Sequence, residues 1–77
     1  MKFKEPIMNI ILSHHAKTRM VERGIPLEDI KTTINFPDYT ISKEGKKEAF
    51  KKINNKILRV IYLEINNYIK VITLMWK

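Results

Sequence analysis

The sequence predicts an α+β domain: two N-terminal helices packed on one face of an antiparallel meander sheet of three to four strands. Three observations predict it. Helix punctuation, with a Ser cap, a Gly stop and a Pro restart, is confined to residues 13–37. Runs rich in β-branched and aromatic residues occupy the second half. Asn54-Asn55 and Asn66-Asn67 divide those runs where hairpin turns would fall. Helices followed by strands, without strict alternation, argue for α+β rather than a parallel α/β sheet.

Residues 7–12, I-M-N-I-I-L, read as a short strand or an extended lead-in. Ser13 is a good N-cap, because its hydroxyl accepts a bond from an otherwise unpaired amide of the first turn. Gly24 suits the left-handed position just past a helix, so the first helix runs from about His14 to Arg23. Pro26 is expected at the first position of a second helix, with Glu28 and Asp29 complementing its dipole. Leu27, Ile30 and Ile34 form its apolar stripe, and Pro37 ends it at about Asn35 or Phe36.

Strands are predicted over 39–43, within K-E-A-F-K-K-I, over K-I-L-R-V-I-Y-L-E-I and over Y-I-K-V-I-T-L-M-W-K. Two-residue turns at the Asn pairs would place Lys47 opposite Tyr62, Lys51 opposite Leu58, Tyr62 opposite Val71 and Val60 opposite Thr73. One sheet face then carries Lys47, Ala49, Lys51, Leu58, Val60, Tyr62, Val71, Thr73 and Met75. The other carries Phe50, Ile57, Ile61, Leu63, Ile72, Leu74 and Trp76. The second face is richer in large apolar groups, so it is expected beneath the helices. The first would remain a half-open basic groove suited to single-stranded RNA.

Seventy-seven residues bound the chain to one domain with a modest core. There is no cysteine, hence no disulfide framework and no thiolate metal site. Two histidines without a zincin-like carboxylate spacing give no metal ligand set, and no cofactor motif is present. No apolar run approaches the roughly 20 residues of a membrane span, and the apolar start is too short and interrupted for a signal peptide. A cytoplasmic protein is expected. Fifteen basic residues against eight acidic give a net charge of +7, a field that favours phosphate polyanions or an acidic protein partner.

The stretch S-H-H-A-K-T-R-M-V-E-R-G-I contains both histidines and two of the three arginines. On a helix, Arg19 lies about 40° and Arg23 about 80° from His15, so the three form one rail. Guanidinium grips phosphate oxygens bidentately, and imidazole exchanges a proton near neutrality. The same spacing also describes an ordinary solvated helix face, with Glu22 pairing Arg19 at i, i+3.

That stretch resembles a family of small bacterial and archaeal domains of unknown function. Their signature is Ser/Thr-x-His-Ala-x-x-Arg-Met-x-x-Arg-Gly-Ile. Ser13, His15, Ala16, Arg19, Met20, Arg23, Gly24 and Ile25 match it, and Pro37, Tyr62 and V-I-T at 71–73 match later positions more loosely. The resemblance spans about residues 12–76. Pro26 departs from the Ser-type cap frequent after Gly-Ile.

The family is similar to the RelE/ParE-like toxins, whose architecture is related to barnase-like nucleases. The resemblance implies a metal-independent endoribonuclease, possibly paired with an acidic antitoxin. His15 would exchange the proton, Arg19 and Arg23 would hold the scissile phosphate, and Tyr62 or Lys51 would be the second catalytic group. Lys47 and Thr73 would contact RNA. A non-catalytic nucleic-acid-binding domain and an inactive toxin-like interaction module are the other readings. The oligomeric state is open, a homodimer included.

Overall fold

The computed structural model describes residues 9–66 and 68–77. The elements, in chain order, are β1 (Ile10–Leu12), α1 (His14–Glu22), α2 (Leu27–Asn35), β2 (Tyr39–Lys43), β3 (Lys46–Ile53), β4 (Lys56–Ile65) and β5 (Tyr68–Trp76). They form one five-stranded sheet of order β1-β5-β4-β3-β2. The expected strands after the helices are all present. The expected architecture is not: the chain enters through a strand, and the sheet is mixed.

The difference is β1, which pairs in parallel with β5. Ile69 N donates to the Asn9 carbonyl at 2.9 Å, and Ser13 N donates to that of Val71 at 3.0 Å. Three residues carry too little alternation to declare a strand, and a parallel partner nearly 60 positions away leaves no local turn signal. Residues 1–8, including the first part of the expected lead-in and the apolar start weighed as a signal peptide, lie outside the described residues.

Both helices follow their punctuation. The Ser13 hydroxyl accepts from Ala16 N at 3.0 Å and caps α1. At the other end Ile25 N donates to Met20 O (3.0 Å) and Gly24 N to Val21 O (3.2 Å), a Schellman pair. Gly24 takes φ 61°, which a side chain resists. Pro26 is the N-cap of α2 rather than its first helical residue. Ile30 and Ile34 are buried as expected, but Leu27 is exposed and Thr33 takes the third inward place. The Thr33 hydroxyl is satisfied by the Asp29 carbonyl at 2.8 Å.

The hairpins follow the turn residues. Glu44 and Gly45 (φ 51° and 80°) and Asn54 and Asn55 (52° and 69°) both have the positive φ pairs of primed turns. Asn66 has φ 35°, while its partner Asn67 lies outside the described residues. Lys47 faces Tyr62, Lys51 faces Leu58 and Tyr62 faces Val71, as the turns dictate.

Val60, however, faces Leu74 and not Thr73, because β5 carries one extra residue, Ile72, between the Tyr62–Val71 and Ile61–Thr73 pairs. The bulge turns Leu74 and Trp76 onto the face of Ile69 and Val71, and Thr73 onto the opposite one. The carbonyl of Ile72 accepts from the Ser13 hydroxyl at 3.0 Å.

The helix-covered face is the reverse of the expected one. Ala16, Ile25, Ile30 and Ile34 pack with Ala49, Leu58, Val60, Tyr62, Ile69, Val71 and Leu74. Counting large apolar residues misjudged the faces because Lys47 and Lys51, though on the covered face, reach its rim and keep their charged heads outside the core. The outer face holds Phe50, stacked on Tyr39 at 4.5 Å, and Arg59, which bonds Glu48 at 2.9 Å.

Two substitutions one residue apart test this register. Leu74→Ala should cost about 2–5 kcal/mol, as for a buried leucine, and Thr73→Ala should stay within about 1 kcal/mol. Urea unfolding giving the reverse order would contradict the bulge. Ser13→Ala should cost about 1–2 kcal/mol, the loss of a working helix cap.

Candidate functional site

α1 carries the cationic rail. Ala16 is its buried residue, and Met20 packs against the core from the same side. His15 is exposed on the far side, one turn before Arg19. Arg19 Nη1 lies 2.7 Å from Glu22 Oε1, an exposed i, i+3 pair of the kind that contributes little to stability and is readily exchanged. Arg23 is tied to the sheet: its Nη1 donates to the Leu74 carbonyl at 3.2 Å, and its own carbonyl accepts from Trp76 Nε1 at 3.4 Å. The C-terminal end of α1 is thereby fixed along β5.

Tyr62 lies elsewhere, on the helix-covered face at 4 % exposure. It borders a cavity of about 230 Å³ at the C-terminal end of α2. Ile34, Pro37 and Ile69 supply apolar wall, while Thr40, Lys47 and Glu64 supply polar groups. Asn35 completes the lining. No lining residue comes from α1. Lys47 Nζ is 2.8 Å from Glu64 Oε1, and that bond raises the lysine pKa, so its ammonium is held charged. Burial pushes the Tyr62 phenol up as well, with neighbouring Lys47 opposing and Glu64 adding. Neither group is poised as a base at neutral pH. A neutral phenol donates and accepts hydrogen bonds but does not abstract a proton.

Lys51 and Thr73 join neither group. Lys51 Nζ donates to the Phe36 carbonyl at 2.9 Å and lies 3.6 Å from Asp38 Oδ1, which ties β3 to the loop after α2. Asp38 also accepts from Lys52 N at 2.8 Å, and that backbone bond is the main reason its carboxyl is held below the usual aspartate range. Thr73 faces the outer side of the sheet beside Ile61.

The seven residues singled out in the sequence therefore divide into an α1 pair (His15, Arg19) with the C-cap that ties it to β5 (Arg23), a cavity pair (Lys47, Tyr62), a loop clamp (Lys51) and an outer-face hydroxyl (Thr73). The Lys47–Tyr62 pairing was legible from the Asn54-Asn55 turn. Glu64 and Thr40 were missed. The signal for Glu64 was its two-residue spacing from Tyr62, which puts both on one face; Thr40 is placed by pairing with Ala49.

Among the described residues, no group of three His, Asp or Glu side chains is arranged to hold a metal ion. None of the described helices is long and apolar enough to cross a membrane.

Residues 12–76 match the family described as domain of unknown function (DUF4258). No curated protein and no solved structure matches the chain.

The Tyr62 environment has a spectroscopic consequence. In an ultraviolet titration, the tyrosinate signal that Tyr62→Phe removes should fall on the alkaline side of the ordinary tyrosine range. Because the folded-state pKa lies above the unfolded one, stability linked to Tyr62 is present below the ordinary range and is lost as pH rises through the raised value. A signal at or below the ordinary range would contradict the burial of the phenol.

Proposed function

The chain belongs to the DUF4258 family, and from that premise we propose that it is an RNA-binding domain of RelE/ParE-like kinship that engages phosphates through α1. The observation that carries this reading is the exposed His15 one turn before the half-buried Arg19 on α1, in a chain of net charge +7. An incoming phosphate can replace Glu22 at Arg19 by exchanging one exposed ion pair for another, with a bidentate fork in place of a single contact. Arg23 contributes by anchoring the helix, through its bond to the Leu74 carbonyl. RNA as ligand is in keeping with a cytoplasmic setting. The same positive surface suits a small acidic antitoxin-like partner, which would compete with RNA for it.

A second reading is metal-independent RNA cleavage. It is favoured by His15, an exposed imidazole one turn from a guanidinium, the pairing that proton transfer beside a bound phosphate requires. In that reaction the 2′-oxygen attacks phosphorus, its proton leaves to a base, and the 5′-oxygen departs with a proton supplied to it. His15 serves one of these transfers. The scatter of Tyr62, Lys51 and Thr73 leaves the second without an assigned side chain, and binding is therefore placed ahead of cleavage.

Fluorescence anisotropy with single-stranded RNA tests the binding. Affinity should fall steeply with salt, and Arg19→Ala should lower the slope of log K against log salt by about 0.7, one phosphate contact. Salt-insensitive binding, or none, would overturn the reading.

Incubation with chelator separates the two activities. Cleavage that falls about 10²–10⁴-fold in His15→Ala selects the catalytic reading. Salt-sensitive binding without turnover selects the other.

A further inference from the structure

We propose that the cavity at the C-terminal end of α2 is a binding site for one unpaired nucleobase. That the base belongs to an RNA strand rests on the reading above. The cavity itself stands on separate observations.

Tyr62 is the first. It is 4 % exposed and borders the cavity, and its hydroxyl has no hydrogen-bond partner among the described residues. No side-chain oxygen or nitrogen of the described residues is both sealed from solvent and unpaired, so this hydroxyl keeps an opening, and the cavity is where Tyr62 has one. A largely buried phenol with no partner among the described residues gains from a ligand atom that completes its bonding.

The charge balance comes next. Lys47 Nζ and Glu64 Oε1, both of residues that line the cavity, stand 2.8 Å apart and neutralise one another. An anionic ligand could reach the ammonium only by exchanging with Glu64, and would find no uncompensated positive charge between these two groups. A neutral ligand needs no such exchange. The neutral Tyr62 phenol and the Thr40 hydroxyl each both donate and accept.

The wall and size complete the case. Ile34, Pro37 and Ile69 offer apolar surface, and the volume of about 230 Å³ is below the roughly 300–1,000 Å³ of sites that enclose drug-sized ligands. A planar heterocycle with donors and acceptors on its rim is the chemical class that fits. In single-stranded RNA the bases are free to be splayed into such a pocket.

The test uses the full chain, ¹⁵N-labelled, titrated separately with the four free nucleosides and with ribose 5-phosphate as the anionic, base-free control. At least one nucleoside should give saturable amide shifts centred on Thr40, Tyr62, Glu64 and Ile69. Tyr62→Phe, which removes only the hydroxyl, should weaken that nucleoside about two- to tenfold. Thr40→Val, on the exposed edge strand, gives a second variant that spares the core, and it should weaken the same nucleoside.

No saturable shift with any nucleoside would overturn the proposal. So would equal shifts from ribose 5-phosphate, which would mark an anion site. Nucleoside shifts that persist while the salt titration shows no RNA binding would uphold the cavity and remove RNA as the source of the base.

Discussion

The structure depends on Ser13. Its amide closes the parallel ladder between β1 and β5 by donating to Val71. Its hydroxyl donates to the carbonyl of Ile72, the extra residue of the β5 bulge, and accepts from Ala16 N at the start of α1. One residue thus ends a strand, begins a helix and satisfies an irregularity in the neighbouring strand. A bulge leaves its extra residue outside the ladder, and a carbonyl there needs a partner. Supplying it from the helix cap joins the bulge to the direction in which α1 leaves the sheet.

From that junction α1 runs along β5 until Arg23 bonds Leu74 and Trp76 bonds back. The helix is held at both ends by β5, so its outward face is fixed relative to the sheet. This makes His15 and Arg19 a defined pair on a rigid element. α2 then returns over β4 and β3 and brings Ile34 against the end of the core where Tyr62 and Ile69 lie. The two candidate surfaces have opposite electrostatic character. The α1 face is cationic and open to solvent at His15, with Arg19 half-buried beside it. The cavity is internally neutral because Lys47 and Glu64 compensate each other. Phosphate recognition and base recognition call for these two environments respectively.

Much of the fold was readable because local chemistry and tertiary structure agree. Ser13 and Gly24 bound α1, and Glu44-Gly45 and Asn54-Asn55 occur where positive φ values are needed. The register around Lys47, Lys51 and Tyr62 followed from turn length alone. The bulge was not readable. V-I-T-L is β-forming throughout and has no glycine, so nothing local marks Ile72 as the extra residue. The parallel β1 pairing is equally non-local.

The bulge and the reach of two lysines account for the misjudged sheet faces. Without the bulge, Thr73 appears beside Tyr62, and Leu74 and Trp76 appear on the wrong side. Without weighing the reach of Lys47 and Lys51, the covered face appears too polar to cover. The His15–Arg19 step was legible, since it needs only helical periodicity, whereas the turn of Arg23, the C-cap, toward Leu74 was not. The cavity was not, since its lining comes from α2, the loop that follows it and four strands.

The central claim is that Ile72 is the bulged residue and that it sets which side chains face the helices. Cross-strand nuclear Overhauser contacts between β4 and β5 test it most directly. The account predicts paired contacts for Tyr62 with Val71 and for Val60 with Leu74, with Ile72 unpaired between them. Contacts of Val60 with Thr73, continuing the Tyr62–Val71 pair in unbroken register, would contradict it.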